Sequence, residues 1–516
     1  MFPILSIIIW LPLLGGIAIL CIPKEQVSVI RWTALAVAWM DFLLAMALVL
    51  AYSQAGVSIS SPILGSAPNA TFLYNERLTW IASLGINYSL GVDGISLLLV
   101  ALTTLLTLVC VGASFRIDRK VKNYMAFMLL LECGILGVFL STNLFLFYIF
   151  WEVMLIPAYF LVGSWGGERR IYAAIKFVLF TSVGSLLMLA GVIAIGYYYQ
   201  KATGNGYTLE LANLLNSRLD STAQVWLLLA FAAAFAVKVP LVPFHSWLPD
   251  AYSEAPTPVT AMLAGAMSKT GAYGLLRICL PLFPSAIHTL APLFNTLAVI
   301  GILYCAILAL VQTDLKRLLG YSSISHLGVI VLGIFAFNTQ GIEGSVLQMV
   351  NHGITTAALF LIVGYIEFRT GTHNIRDFGG LARRIPVLAT VMLIAALSSL
   401  GLPGLNSFAG EFLALLGAFR SSVIFGVLGT AVVVPAAWYL MRFFLDVMAG
   451  PMKTGGTIGS LERKGRLHDL GLGEFLTLSP LLLLIFYIGI QPAPLTYLME
   501  PSVLNTLQNI GSAFVR

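Results

Sequence analysis

The chain has 516 residues, 59% of them hydrophobic and only 10% charged, with a net charge of +6. Soluble globular chains carry roughly 25% charged residues. The composition therefore excludes an ordinary soluble enzyme, a disordered chain and a nucleic-acid binder, whose basic footprint needs far more charge. A mean hydropathy of +0.94 points to an integral membrane protein with little mass outside the lipid bilayer. Cys21, Cys110, Cys133, Cys279 and Cys305 are scattered through apolar runs. No CxxC pair or Cys/His cluster occurs, which argues against a disulfide framework, a zinc site and an iron–sulfur site.

A membrane-spanning helix needs about 20 mostly apolar residues. In chain order, such runs cover residues 2–22, 30–52, 91–114, 121–140, 142–165, 171–199, 223–248, 257–281, 287–312, 318–337, 343–368, 387–419, 422–448 and 473–491. No basic stretch precedes the first run, which reads as a retained span and not a cleaved signal. The runs are continuous and do not alternate, so a β-barrel is excluded. The predicted fold is an all-α polytopic membrane protein of about fourteen transmembrane helices.

The basic residues test this count. With both termini outside, the inner loops hold Lys24, Arg31, Arg116, Arg119, Lys120, Lys122, Arg169, Arg170, Lys316, Arg317, Arg369, Arg376, Arg383, Arg384, Lys453, Arg463, Lys464 and Arg466. The outer side holds Arg77, Lys201, Arg218, Arg277, Arg420 and Arg516. That roughly threefold bias follows the positive-inside rule. The outer loop 53–90 is rich in Ser, Gly and Asn and has room for a short hairpin. Its two sequons, at Asn69 and Asn87, are read as chance.

Few ionisable residues remain inside the apolar runs: Glu132, Glu152, Lys238, Lys269, His326, His352 and Glu411, with Asp41 and Lys176 nearer the ends. A charge at mid-bilayer costs about 2.5–3.5 kcal/mol on insertion scales. A lone buried His is more often a hydrogen-bonded core residue, but a mid-membrane Lys is costly, and together these residues are better explained by a hydrophilic axis. Glu152 precedes Lys238 by 86 residues, and His326 precedes Glu411 by 85. Each pair sits two helices apart, in spans 4–8 and 9–13. Five helices per unit is odd, so the second unit starts from the opposite face, an inverted repeat of the kind found in transporters. Pro240 and Pro243 follow Lys238, and Gly401, Pro403 and Gly404 precede Glu411. Proline removes a backbone donor and clashes with the preceding turn, so spans 7 and 12 should be discontinuous. The expected division is 1–114 (spans 1–3, with loop 53–90), 121–281 (first repeat), 287–448 (second repeat) and 473–491 (last span).

Burial disfavours the charged form of lysine, so Lys238 and Lys269 suit proton exchange. Glu152 near Lys238 would hold that lysine charged, and separating the two would release the proton. Histidine titrates near neutrality, which suits His326 and His352 to a relay ending at Glu411. Moving one proton against 100 mV costs about 2.3 kcal/mol, within reach of a two-unit pKa swing at about 1.36 kcal/mol per unit. Ser268-Lys269-Thr270 matches the end of a P-loop, but no glycine precedes the lysine. No HExxH, GxSxG or dinucleotide fingerprint occurs.

The segments AVKVPLVPFHSWLPDAYSEAPTPVTAMLAGAMSKTGAYGLLR (236–277), LKRLLGYSSISHLG (315–328), LGVDGISLLLV (90–100), FWEVMLIPAYFLVGSWGG (150–167) and GLPGLNSFAGEF (401–412) resemble the antiporter-like membrane subunits of respiratory complex I. The resemblance covers about residues 85–450. It implies fourteen helices, two inverted five-helix repeats (spans 4–8 and 9–13) and discontinuous spans 7 and 12. By motif, the family's proton path falls on Glu152, Lys238, Lys269, His326, His352 and Glu411. Glutamate at 411 points to the M-type branch, because L- and N-type subunits and Mrp antiporter subunits usually carry lysine there. The chain also ends soon after span 14, without the long lateral helix of L-type subunits. The implied function is proton translocation within an NADH-quinone oxidoreductase, in a bacterial inner membrane. The implied partners are L- and N-type neighbours. No cofactor or metal is expected in this chain: NADH, FMN, iron–sulfur clusters and quinone would sit in partner subunits. Two rivals remain, a cation/proton antiporter subunit and a subunit of a related hydrogenase or ferredoxin-driven complex. A purely structural spacer is the blander reading.

Overall fold

A computed structural model describes residues 3–54, 72–215, 217, 219–451 and 467–515. Asn69, Arg218, Lys453, Arg463, Lys464, Arg466 and Arg516, which enter the readings above, lie outside the described residues.

Among the described residues, 12 helical segments are long and apolar enough to cross a membrane. They account for twelve of the expected runs, with ends within a few residues except at span 7, where the helix stops at Lys238 and not at 248. The chain is a multi-pass integral membrane protein. The other two expected runs, 257–281 and 387–419, are helical but interrupted. The first alternates α and π turns: Thr257–Met262, Leu263–Met267, Lys269–Gly274, Leu275–Cys279 and Leu280–Leu282. The second splits into Pro386–Leu400 and Asn406–Ser421. Span 7 also breaks, into Ser221–Lys238 and Trp247–Glu254.

The two broken spans end their first halves alike. Leu241 N donates to Ala236 O at 2.8 Å, and Leu402 N donates to Leu397 O at 3.1 Å. Both are six-to-one closures, and the second is completed by Gly401 N to Ser398 O at 3.1 Å, with Gly401 at φ +78°. That is a Schellman cap, whose left-handed residue favours glycine. Several other helices start on polar caps. Asp93 caps Gly94–Ala113 through Ser96, Asn143 caps Leu144–Val153, and Asp314 caps Leu315–Ile334.

The outer loop does contain a hairpin. Leu73–Ile81 pairs antiparallel with Ile86–Val92, with Leu78 opposite Tyr88. It is tied down by buried polar groups: Glu210 accepts from Asn87 at 2.8 Å, Ser89 at 2.9 Å and Asn143 at 3.0 Å.

Three features depart from the sequence reading. Arg277, counted above with the outer loops, is buried and pairs with the fully buried Asp93 at 2.5 Å. Asp41 is not near a helix end; it sits midway along Val27–Gln54 with no exposure. A further helix, Ala493–Val515, follows the last expected span. Its Asn, Gln and Thr residues lower the hydropathy that flags spans. It packs on Gly94–Ala113, where Ser502 Oγ accepts from Gly94 N at 3.0 Å.

Candidate functional site

The deeply buried helix Thr339–Thr370 carries His352 on the same face as Gln348, one turn earlier. Against it lies Asn406–Ser421, and glycines let the two backbones nearly touch. A Cβ at Gly344 would fall 2.2 Å from Ala414 N and 2.6 Å from Leu413 C. This approach sets Glu411 beside Gln348, whose Nε2 donates to Glu411 Oε1 at 2.8 Å. His326, from Leu315–Ile334, brings Nδ1 to the same oxygen at 2.6 Å. Its Nε2 faces Tyr439 Oη at 3.3 Å, and Tyr439 in turn meets Ser322 Oγ at 2.9 Å.

Lys269 enters from the interrupted helix. The π turn directs Ser268 N to Leu263 O at 3.0 Å. Ala264 O then accepts from Ser268 Oγ at 2.8 Å and Lys269 Nζ at 2.5 Å. A π turn exposes a carbonyl in this way, which is why such turns recur at functional sites. Lys269 Nζ also lies 2.7 Å from His352 Nδ1. The His352 and His326 rings are 5.9 Å apart between centroids, and the shielded His352 Nε2 has no hydrogen-bond partner among the described residues. Lys269, His352, His326 and Glu411 thus stand in sequence, drawn from four helices. Glu411 closes the row at a surface cleft of about 350 Å³, lined mainly by Leu400, Phe408, Phe412, Leu415 and Phe419.

The first half is arranged differently. Lys238 ends its helix almost wholly buried, with Nζ 5.3 Å from the Trp151 ring centre and 5.4 Å from that of Phe177. Glu152 follows Trp151 but forms no ion pair with Lys238 within 4.0 Å, and its shielded Oε1 has no hydrogen-bond donor. Aromatic rings face the ammonium, and Glu152 acts on it as a nearby charge without a direct ion pair. Glu132 does not join the row and lies with Asp41. Sequence reading missed Gln348, Tyr439 and Trp151. The i, i+4 spacing of Gln348 and His352 was the available signal for the first.

One end of the bundle carries a charged network. Asp250 accepts from Lys176 at 2.7 Å and from Arg317 at 2.9 Å, fixing the short helix Trp247–Glu254 after the span-7 break. His373 reaches Asp314 at 3.0 Å and Glu367 at 3.1 Å. The hydrogen bond to Asp314, then that to Glu367, raise the His373 imidazole to about 9. Burial alone would raise Asp314, but His373 holds its carboxyl below the usual value. Among the described residues, no group of three or more His, Cys, Asp or Glu side chains is placed to hold a metal.

Comparisons with known proteins place the chain in a family. Residues 141–435 match the family model described as NADH:quinone oxidoreductase/Mrp antiporter, transmembrane. NADH-quinone oxidoreductase subunit M of Rickettsia bellii is 38% identical over 514 residues, covering 98% of each chain. The Pseudomonas aeruginosa subunit M is 39% identical over 521 residues, covering 99% of this chain and 98% of the relative. Among solved structures, a chain of respiratory complex I from Thermus thermophilus superposes with a TM-score of 0.86 at 30% identity, covering 98% of this chain and 100% of that one. A chain of the Mrp complex from Dietzia shares the fold, with a TM-score of 0.82 at 21% identity and coverage of 98% and 97%. The chain belongs to the NADH-quinone oxidoreductase subunit M family of proton-translocating, antiporter-like membrane subunits.

Proposed function

We infer that Glu152, Lys238, Lys269, His326, His352 and Glu411 carry the protons this family translocates, in a complex I-type NADH-quinone oxidoreductase of a bacterial inner membrane. One observation carries the reading: Lys269, His352, His326 and Glu411 come from four helices yet stand in order, with direct contacts of 2.7 Å and 2.6 Å at its two ends. Isolated ionisable groups in a bilayer are costly, and a row of them at close range is what stepwise proton transfer requires. Lys269 exchanges a proton with His352 Nδ1, the step between the His352 and His326 rings crosses 5.9 Å between centroids, and Glu411 accepts from His326 Nδ1 and opens to the cleft.

Lys238 and Glu152 form the switch. Desolvation among Trp151 and Phe177 favours the neutral amine, whereas an approaching carboxylate favours the ammonium. Movement of Glu152 towards Lys238 loads the lysine, and its withdrawal releases the proton towards Lys269.

The breaks after Lys238 and before Glu411, each closed by a six-to-one bond, support two inverted repeats over 121–281 and 287–448, with 1–114 and 473–491 flanking them. Redox chemistry on NADH, FMN, iron–sulfur clusters and quinone belongs to partner subunits in this reading, and L- and N-type subunits are the membrane neighbours. Glutamate at 411 favours this branch over an Mrp-type antiporter.

The test is Lys238→Ala in the assembled complex, reconstituted in vesicles. Electron transfer coupled to strongly reduced proton pumping supports the path; unchanged pumping refutes it and leaves a structural spacer.

A further inference from the structure

Asp41 and Glu132 lie outside the Lys269–Glu411 row. Asp41 is midway along Val27–Gln54 and Glu132 midway along Val121–Leu140. Both are 0% exposed, and their carboxyl groups face each other. None of the four carboxyl oxygens meets a hydrogen-bond donor among the described residues. Thr107 adjoins Glu132, but its hydroxyl donates to Thr103 O at 3.1 Å.

Among the described residues, no cation is identified beside this pair. Helices Ile4–Cys21 and Gly94–Ala113, packed against both carboxyl-bearing helices, contain no Asp, Glu, Lys, Arg or His. Leu144–Val153 and Lys269–Gly274 also pack on Val121–Leu140 and carry Glu152 and Lys269, but Lys269 Nζ is engaged by Ala264 O and His352 Nδ1. Cys133, next to Glu132 in the chain, is their titratable neighbour, a buried thiol. The basic residues on the two carboxyl-bearing helices, Arg31 and Lys122, are each ten positions away, about 15 Å along a helix. Arg31 is already paired with Asp118 at 2.6 Å. Two facing carboxylates without donors or cations in a low-dielectric interior cannot both stay ionised.

We propose that Asp41 and Glu132 form a second proton-binding site, separate from the Lys–His–Glu row, that holds at least one proton at neutral pH. A sodium ion is the competing ligand. A hard cation takes a shell of about six oxygens, and here the side-chain oxygens identified are those of the two carboxyl groups and the Thr107 hydroxyl.

The test is infrared difference spectroscopy on the assembled complex, wild type against Glu132→Gln and against Asp41→Asn. Each substitution is expected to remove or shift the carbonyl stretch of a protonated carboxyl group at neutral pH. That band should move in D2O and ignore added sodium chloride. A difference spectrum containing only ionised-carboxylate bands overturns the proposal. A protonated band that vanishes as sodium is added overturns it in favour of a cation site. Should the amide variants fail to assemble, Asp41→Glu and Glu132→Asp keep both carboxyl groups. These must retain a protonated band at a displaced frequency, and its absence also overturns the proposal.

Discussion

Replacing Gln348 with leucine isolates the last step of the row. Glu411 Oε1 accepts from His326 Nδ1 at 2.6 Å and from Gln348 Nε2 at 2.8 Å, so the carboxylate has two donors on one oxygen. Leucine keeps much of the volume and removes one donor. A hydrogen bond to a charged group is worth about 1.5–3 kcal/mol, and 1.36 kcal/mol is tenfold, so the loss corresponds to roughly 10–100-fold. The penalty falls on the ionised carboxylate and hence on the equilibrium of transfer between His326 and Glu411. Gln348→Leu should therefore cut proton pumping by roughly that factor where this step limits turnover. The assay is dye-monitored proton uptake in proteoliposomes alongside NADH oxidation, with Glu411→Gln as the full-loss control. Gln348→His, which restores a donor, should recover part of the rate. Unchanged pumping by a stable, assembled Gln348→Leu complex would show that Glu411 does not depend on this contact, and the reasoning would fail.

Gly344→Ala places a methyl carbon 2.2 Å from Ala414 N. Backbone cannot yield as a flexible side chain does, so the two helices must separate; thermal denaturation of the purified complex should show destabilisation of about 1–3 kcal/mol. Arg277→Met leaves Asp93 buried and unpaired, a change that typically costs about 3–5 kcal/mol; normal melting and normal assembled amounts in membranes would contradict it. His373 supplies a pH signature. Its imidazole is raised to about 9 by Asp314 and Glu367, against an ordinary value of about 6.5. The contact is therefore fully stabilising below about 6.5 and is lost as pH rises through about 9. Intrinsic-rate-corrected hydrogen exchange in residues 371–378 should accelerate across that interval, and His373→Gln should remove the acceleration.

The bilayer makes much of this protein readable in one dimension. A spanning helix must satisfy its backbone internally and present apolar side chains to lipid, so length and hydropathy alone located most helices within a few residues. The same logic singled out seven ionisable residues inside the apolar runs, because each is expensive wherever it sits. Where helices depart from continuity, the signal weakens. Proline and glycine announced the breaks near Lys238 and Glu411, but the π turns around Lys269 carry no comparable marker. Ala493–Val515 escaped because it is too polar to register as a span.

Tertiary packing decided who touches whom. Nothing in residue order says that His352 meets Lys269, that His326 and Gln348 share one oxygen of Glu411, or that the rings of Trp151 and Phe177 face the Lys238 ammonium. Nor does it say that Asp41, on the second helix, turns inward to face Glu132. Hydropathy sums over a helix, whereas a contact depends on rotation about the helix axis and on how closely glycines let neighbours approach. The chain's composition determined that protonatable groups lie in the membrane; the rotation and spacing of its helices determined which of them form a row.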